Sequence, residues 1–322
     1  MDAVKYNNMS KKILVVLIGA TVLVGGGFFV YNYFPEYFPE EDVGTPGEEQ
    51  DLGDEEEVVK EEEPAGQEPE AEEATSSKKT AFLDAGDFKI VYGETQNYDY
   101  ANLNLLISNS QVFENLVAFL NQILILQKDF PIIFQQCDTV NAFYNPQEDV
   151  IIICDELLQN FAQNFAYFVK SEEELDKAIT AATYFILFHE LGHGLIDIYD
   201  LTYSGKEEDV ADQLASVVLI NLSEDGAKAA ITGANYFYIT SSEIGPGFPF
   251  WDEHALNQQR YYNILCWVYG SNPQKYNYFV GTYGLPQERA VQCPREYQKM
   301  SDFWDITIYP YLQEKIKEQI EQ

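Results

Sequence analysis

Basic residues are scarce in this sequence. Among its 322 residues, 19 Lys and Arg stand against 53 Asp and Glu, which gives a formal net charge of −34. Proteins that bind nucleic acids present clusters of positive charge to the phosphates, and this chain offers no such cluster. We therefore expect no nucleic-acid partner. The acidic excess favours solubility and self-repulsion rather than any particular substrate.

Cysteine is also sparse, and none of it has the spacing of a zinc site. The four cysteines are Cys137, Cys154, Cys266 and Cys293, and no two of them form a Cys-x-x-Cys pair. Four cysteines allow three pairings, of which proximity along the chain favours 137 with 154 and 266 with 293. Such disulfides would agree with an exported protein, whereas four buried free thiols are the alternative.

The acidic excess is concentrated in one stretch. Between Glu36 and Glu73 there are eighteen acidic residues and a single basic one, Lys60. Residues 35–80 are rich in Glu, Pro and Gly and have too little apolar content to fold. We predict a disordered acidic stalk, extended by repulsion between its charges. From residue 81 to residue 322 the composition is that of one globular domain.

Charge is absent from a long apolar run, Ile13 to Val30. As a helix it would be about 27 Å long, close to the roughly 30 Å of a bilayer core. Lys11 and Lys12 before it suit the cytoplasmic side, and the aromatic residues of 31–34 suit the interface. Because no Ala-x-Ala site follows, an uncleaved anchor is favoured over a cleaved signal peptide. We predict that residues 1–34 are a cytoplasmic stub and a single membrane anchor, with the domain outside the cell membrane.

The domain itself shows strand patterns first and mostly helical patterns later. Runs rich in β-branched or aromatic residues predict strands at Phe88–Tyr92, Pro131–Phe134 and Val150–Cys154. Apolar residues at helical spacing predict helices at 112–126, 155–169, 173–196, 207–222, 252–269 and from Tyr311 onward. This order indicates the α+β class.

Histidine occurs only three times, and two of the three fall in one short pattern. The predicted helix 173–196 contains His189-Glu190-Leu191-Gly192-His193. The two histidines are four residues apart, so they project from one helix face and can share one tetrahedral ion. Glu190 is placed to act as general base on a water that the ion activates. The pattern predicts one Zn²⁺ per chain.

A third ligand must come from elsewhere, and the next acidic cluster opens the following helix. Glu208 and Asp212 are four residues apart and face the same way. Glu208 can bind the metal while Asp212 accepts the other ring N–H of a ligand histidine. Glu207 and Asp209 are the alternatives to Glu208. Acidic residues are also favoured at any helix N-terminus, which accounts for Glu207 to Asp209 without a metal but not for Asp212.

These residues resemble the gluzincin metallopeptidases of the thermolysin and neprilysin type. In that group a Glu and an Asp at this spacing are the third ligand and the support of the first histidine, which implies those roles for Glu208 and Asp212. The segment Val140–Pro146 resembles the edge strand of those peptidases. That resemblance implies that the Asn141 side chain and the Ala142 backbone hold the main chain of a peptide substrate by strand addition. Without it, Asn141 is an ordinary turn residue.

Over roughly residues 85–300 the chain is also similar to an uncharacterised family of metallopeptidases, the DUF4344 type. The similarity is carried by Asn141–Tyr144, Cys154, His189–His193, Glu208–Asp212, Asp252–His254, Gln259–Arg260 and Leu265–Trp267. Together the resemblances imply a zincin-like α+β domain. It would have a small mixed sheet, an edge strand over an active-site helix, and a helical subdomain after them.

The third histidine, His254, lies at the start of the predicted helix 252–269. Gluzincins carry a His or Tyr outside the ligand set that stabilises the oxyanion of the intermediate, and His254 is the candidate by that resemblance. It could instead replace Glu208 as a ligand, or be a capping or core residue. Arg260 could contact a substrate carboxylate, although a salt bridge within the domain is the simpler interpretation.

The combined prediction is a membrane-anchored, extracytoplasmic zinc metallopeptidase that acts on a peptide or protein substrate. Two alternatives stand beside it. One is a non-catalytic extracellular binding domain stabilised by zinc, and the other is a zinc hydrolase that acts on a non-peptide amide.

The predicted topology is testable on intact cells. Protease added outside should release a soluble fragment that contains the domain, because the stalk at 35–80 is extended and exposed. The fragment is detected by immunoblotting against the domain, with a cytoplasmic protein as the control for lysis. A domain that is protected until the cells are broken would contradict the topology.

Overall fold

A computed structural model describes residues 82–95, 97–241, 255–281 and 284–321. The predicted anchor and the predicted acidic stalk lie outside these ranges. Among the described residues, no helix has the length and apolar character needed to cross a bilayer.

The described residues form a small mixed sheet and a larger number of helices, which is consistent with the α+β class. The strands are β1 (Phe88–Tyr92), β2 (Phe130–Gln135), β3 (Ala142–Asn145) and β4 (Val150–Cys154). Their order in the sheet is β1-β2-β4-β3, with β3 antiparallel to β4 and the other pairs parallel. The central strand β4 is almost entirely buried, as expected for a strand that is covered on both faces.

Ten helices lie within the described ranges. They are α1 (Tyr98–Ser110), α2 (Val112–Ile123), α3 (Asp155–Phe165), α4 (Glu172–Ile198), α5 (Glu207–Leu222), α6 (Glu224–Ile239), α7 (Asn257–Ser271), α8 (Gln287–Ala290), α9 (Cys293–Ile308) and α10 (Glu314–Glu321). Short 3₁₀ turns occupy Asn277–Phe279 and Tyr309–Tyr311. Helix α4 is central, because it packs against α3, α5, α6 and the strands β3 and β4.

Helix α4 owes its position to an apolar composition on nearly every side. The Ser171 side chain caps its N-terminus by accepting the backbone N–H of Glu174. From Ala178 to Ile196 almost every side chain is buried, as expected of a helix that is apolar all round. His189 and Glu190 share this burial, and buried polar groups require hydrogen-bond partners.

Most elements have the bounds that apolar spacing predicts. The segments β1, β4 and α5 begin and end as predicted, and α2, α3 and α4 differ by a few residues. Four of the described helices are not predicted: α1, α6, α8 and α9. Helix α6 buries small residues such as Ala227 and Ala230, whose weak hydrophobicity produces little periodic signal.

The two disulfides join the cysteine pairs favoured by proximity. Cys137 is bonded to Cys154 with a Cα–Cα distance of 5.4 Å, and Cys266 to Cys293 with 5.1 Å. The first ties the chain beyond β2 to the end of β4, and the second ties α7 to the start of α9. Each would stabilise the fold by about 3 kcal/mol, mainly by restricting the unfolded chain.

Helices α4 and α5 approach each other closely at Gly192. A Cβ atom at this position would lie 2.9 Å from the Cα and 3.1 Å from the Cβ of Ala211. Only glycine therefore fits without a shift of one helix. Since Gly192 lies between the two histidines of α4, this contact sets how near α5 comes to them.

We expect Gly192→Ala to lower the free energy of unfolding by about 1–3 kcal/mol, because the added methyl group separates two backbones. This loss would occur although Ala is intrinsically the better helix former by about 1 kcal/mol. Urea unfolding of the metal-free protein beside the wild type measures it. A more stable variant would show that the contact tolerates a methyl group.

Candidate metal centre

Three predicted ligands meet where α4 faces the start of α5. Nε2 of His189 lies 3.3 Å from Nε2 of His193 and 3.1 Å from Oε2 of Glu208. Nε2 of His193 lies 3.5 Å from Oε1 of Glu208. The two imidazoles and the carboxylate therefore point their ligand atoms at one common position.

These separations fit a small tetrahedral cation. Ligand atoms at 2.0–2.1 Å from a tetrahedral Zn²⁺ are separated from one another by about 3.3 Å. Imidazole and carboxylate groups are typical zinc ligands, and three protein ligands are the number usual for catalytic zinc. Among the described residues, no fourth His, Cys, Asp or Glu joins the group.

Asp212, which was predicted to accept the other ring N–H of a ligand histidine, contacts His189, and Arg260 contacts Asp212. Oδ1 of Asp212 lies 2.8 Å from Nδ1 of His189. The Arg260 guanidinium donates from Nε to Oδ2 at 2.8 Å and from Nη2 to Oδ1 at 2.6 Å, and it lies 3.8 Å from the centre of the Phe237 ring. Arg260 is thus in a salt bridge within the domain.

This cluster keeps Asp212 ionised in spite of its burial. Burial raises the pKa of Asp212, but the charge of Arg260 and the contact with His189 outweigh it and hold the pKa well below its usual range. An ionised Asp212 accepts the Nδ1–H of His189, which leaves Nε2 available to a metal.

Glu207 makes the equivalent contact with His193, which the sequence did not predict. Oε1 of Glu207 lies 2.7 Å from Nδ1 of His193, and the Tyr203 hydroxyl donates to Oε2 of Glu207 at 2.5 Å. Glu207, which was predicted as an alternative third ligand, thus contacts Nδ1 of His193, whereas Nε2 of this ring faces His189 and Glu208. Its place directly before Glu208 was an available signal, whereas nothing in the sequence marks Tyr203.

Two other predicted residues lie apart from the ligand atoms or outside the described ranges. Asp209, the second alternative ligand, lines a polar pocket with Gln258 and Tyr262. His254, the predicted oxyanion donor, lies outside the described residues, so its role stays a prediction.

Glu190 lies against the edge strand β3. Its carboxylate is buried, and Oε2 accepts the backbone N–H of Tyr144 at 2.9 Å. The N–H of Cys154 donates to the C=O of Asn141. With the register of this antiparallel pair, the backbone N–H and C=O of Asn141 point toward β4, and those of Ala142 and Tyr144 point away from it. The backbone groups of Ala142 thus point to the same edge as Glu190, and Asn141 is exposed directly before the strand.

Tyr144 also ties β3 to a second point on α4. Its hydroxyl donates to Asp197 at 2.7 Å, and its ring stacks on Phe130 with the centroids 5.8 Å apart. Glu190 and Asp197 are seven residues apart, so they lie two turns apart on one face of α4. The edge strand is therefore held over that face at two places. The sequence did not predict this role for either Tyr144 or Asp197.

Protons and a metal compete for the same ligand atoms. Burial lowers the pKa of His189, but hydrogen bonds to Asp212 and Glu208 more than offset it and raise the pKa to about 9. Nε2 of His189 is therefore protonated at neutral pH unless a cation replaces the proton. Metal binding should release protons and weaken as the pH falls.

We expect Glu208→Ala to lose most of its zinc, because two imidazoles alone hold the ion poorly. Asp212→Asn and Glu207→Gln should each lower zinc affinity by about 10–100-fold, since each disturbs the orientation of one histidine. Zinc content after dialysis against graded chelator concentrations measures the series. Asp209→Asn is the matched control and should behave as wild type. Zinc loss in this control, with retention in Glu208→Ala, would reverse the assignment.

Comparison with known protein families agrees with the geometry. The model of the DUF4344 family, described as "Putative metallopeptidase", matches residues 92–308, more than half of the chain. The match includes β3, the two histidines of α4, the acidic start of α5 and Arg260. No curated protein and no solved structure matches the chain.

Proposed function

This chain belongs to the DUF4344 metallopeptidase family, and we propose that it is a zinc-dependent peptidase of the gluzincin type. The observation that carries the proposal is the meeting of His189, His193 and Glu208 at zinc-ligand separations, with Glu190 beside them. A catalytic base next to three metal ligands is the arrangement that metal-assisted hydrolysis of an amide requires.

His189, His193 and Glu208 would hold the Zn²⁺, which would supply a Lewis acid for the scissile carbonyl and for a water molecule. Glu190 accepts the proton of the attacking water as general base and then gives it to the leaving amine. The Tyr144 N–H orients the carboxylate for this work, since it binds one oxygen and leaves the other for the proton.

The proposed substrate is an extended peptide chain. Strand β3 is the outer strand of the sheet, and the backbone groups of Ala142 point away from its partner β4. An extended segment can add there as a further strand, which would lay its main chain beside Glu190. Asn141 would bind the same main chain through its side chain, and His254 would donate to the oxyanion.

We propose further that the enzyme is anchored in the cell membrane and acts outside it. The apolar run at 13–30 and the acidic segment at 35–80 support an anchor and a stalk. The two disulfides of the domain support an oxidising compartment.

We expect Glu190→Gln to keep zinc and fold but to lower peptide hydrolysis by about 10²–10⁴-fold, because it keeps the shape of the side chain and removes the base. Turnover of a fluorogenic peptide library and zinc content are measured together. Glu288→Gln, an exposed glutamate far along the chain in α8, is the matched control and should retain full activity.

Two other results bear on the mechanism. A zinc-loaded wild type that hydrolyses no peptide would favour the zinc-stabilised binding domain instead. If Glu190→Gln kept an activity near that of the wild type, Glu190 would not be the general base. His254→Ala belongs in the same assay, with zinc retained and turnover lowered by about 10²–10³-fold if it donates to the oxyanion.

A further inference from the structure

An apolar cavity of about 110 Å³ lies on the side of α4 that is opposite the metal ligands. Leu191 and Leu195 of α4 form one wall. At 100° per residue, these two side chains are more than a quarter turn from both His189 and His193. Side chains of α2, α5, α9 and the C-terminal segment form the other walls.

The cavity is larger than ordinary packing defects. Protein interiors are close-packed and contain few voids bigger than a water molecule. Water is a poor occupant here, because a buried water needs two to four polar partners and these walls are almost wholly apolar. Apolar cavities of roughly 150 Å³ stay dry and bind molecules of the size of benzene.

One wall carries a hydrogen-bond donor that has no partner among the described residues. Trp304 lines the cavity and is only 2% exposed. Its indole N–H has no hydrogen-bond acceptor within the part of the chain that the structure describes. A buried Trp N–H usually has an acceptor, so a ligand that supplies one would satisfy this group.

Asp305, a second residue of the cavity wall, disfavours a ligand with a negative charge. Asp305 also lines the cavity, and burial, together with the nearby charge of Asp302, raises its pKa to about 7. A ligand that carried a carboxylate would place a further negative charge beside Asp305. An uncharged acceptor, such as a carbonyl group, avoids that repulsion.

We propose that this cavity is a binding site for a small uncharged ligand of about six to eight non-hydrogen atoms, whose alkyl or aryl part fills the apolar space and whose carbonyl group accepts the Trp304 N–H. The site is separate from the metal centre, and the proposal does not depend on hydrolytic activity.

The probe that tests it is 2-hexanone, with the full-length chain labelled with ¹⁵N at its three tryptophans. We expect a saturable shift of one indole N–H resonance, which Trp304→Phe assigns by removing it. Ligand-observed saturation-transfer NMR then gives the affinity of each variant. Trp304→Phe should weaken binding by about 2–10-fold, the effect of one neutral hydrogen bond. Trp267→Phe, at a buried tryptophan away from the cavity, should leave the affinity unchanged.

A larger side chain in the cavity wall should fill the cavity and abolish ligand binding. Val218→Phe, from a partly exposed wall position, should abolish binding, and Val291→Phe, at an exposed valine elsewhere, should not. Retained zinc content shows that a variant is folded, and Ile308→Phe replaces Val218→Phe if that variant loses its zinc. No saturable binding to the wild type, or full binding to a folded filled variant, would overturn the site. Equal affinity of Trp304→Phe would overturn the role of the carbonyl group.

Discussion

The site and the helical part of the domain both depend on the hydrogen bonds and the ion pair of one buried carboxylate, that of Asp212. It lies on α5 and binds His189 on α4 and Arg260 on α7, while the guanidinium rests on Phe237 of α6. Four helices thus meet at one ion pair. A buried charge is costly unless it is paired and hydrogen-bonded, so each partner requires the others to be in place. The same contacts that hold the helices together also orient His189, the first of the proposed metal ligands.

On the opposite side of the site, hydrogen bonds from strand β3 hold the carboxylates of α4 in place of an ion pair. Strand β3 is held over α4 by the Tyr144 N–H on Glu190 and by the Tyr144 hydroxyl on Asp197. The proposed base is therefore oriented by the strand that would receive the substrate. The proposed metal ligands, which α5 contacts, and the proposed base, which β3 contacts, lie close together on a single helix.

Helix α4 is buried on nearly every side, and its two opposite sides carry different kinds of side chain. One side carries the histidines and Glu190, for which α5 and β3 supply polar partners. The other carries Leu191 and Leu195, which face the apolar cavity next to Trp304. Polar groups on the first side are thus balanced by donors and acceptors, whereas the cavity on the other side contains the Trp304 indole N–H, which has no partner among the described residues.

The sequence by itself determined what depends on local geometry. The spacing of four residues places His189 beside His193 and Glu208 beside Asp212, since a helix returns to the same face after about one turn. Apolar spacing likewise predicts α5, runs of β-branched and aromatic residues predict β1 and β4, and proximity along the chain predicts the two disulfides. Tertiary structure decided the contacts between segments far apart in the chain: Arg260 on Asp212, Tyr144 on Glu190, and Tyr203 and Glu207 behind His193. Helical spacing states which side chains share a face but not which element that face meets, because packing across the whole core settles that choice.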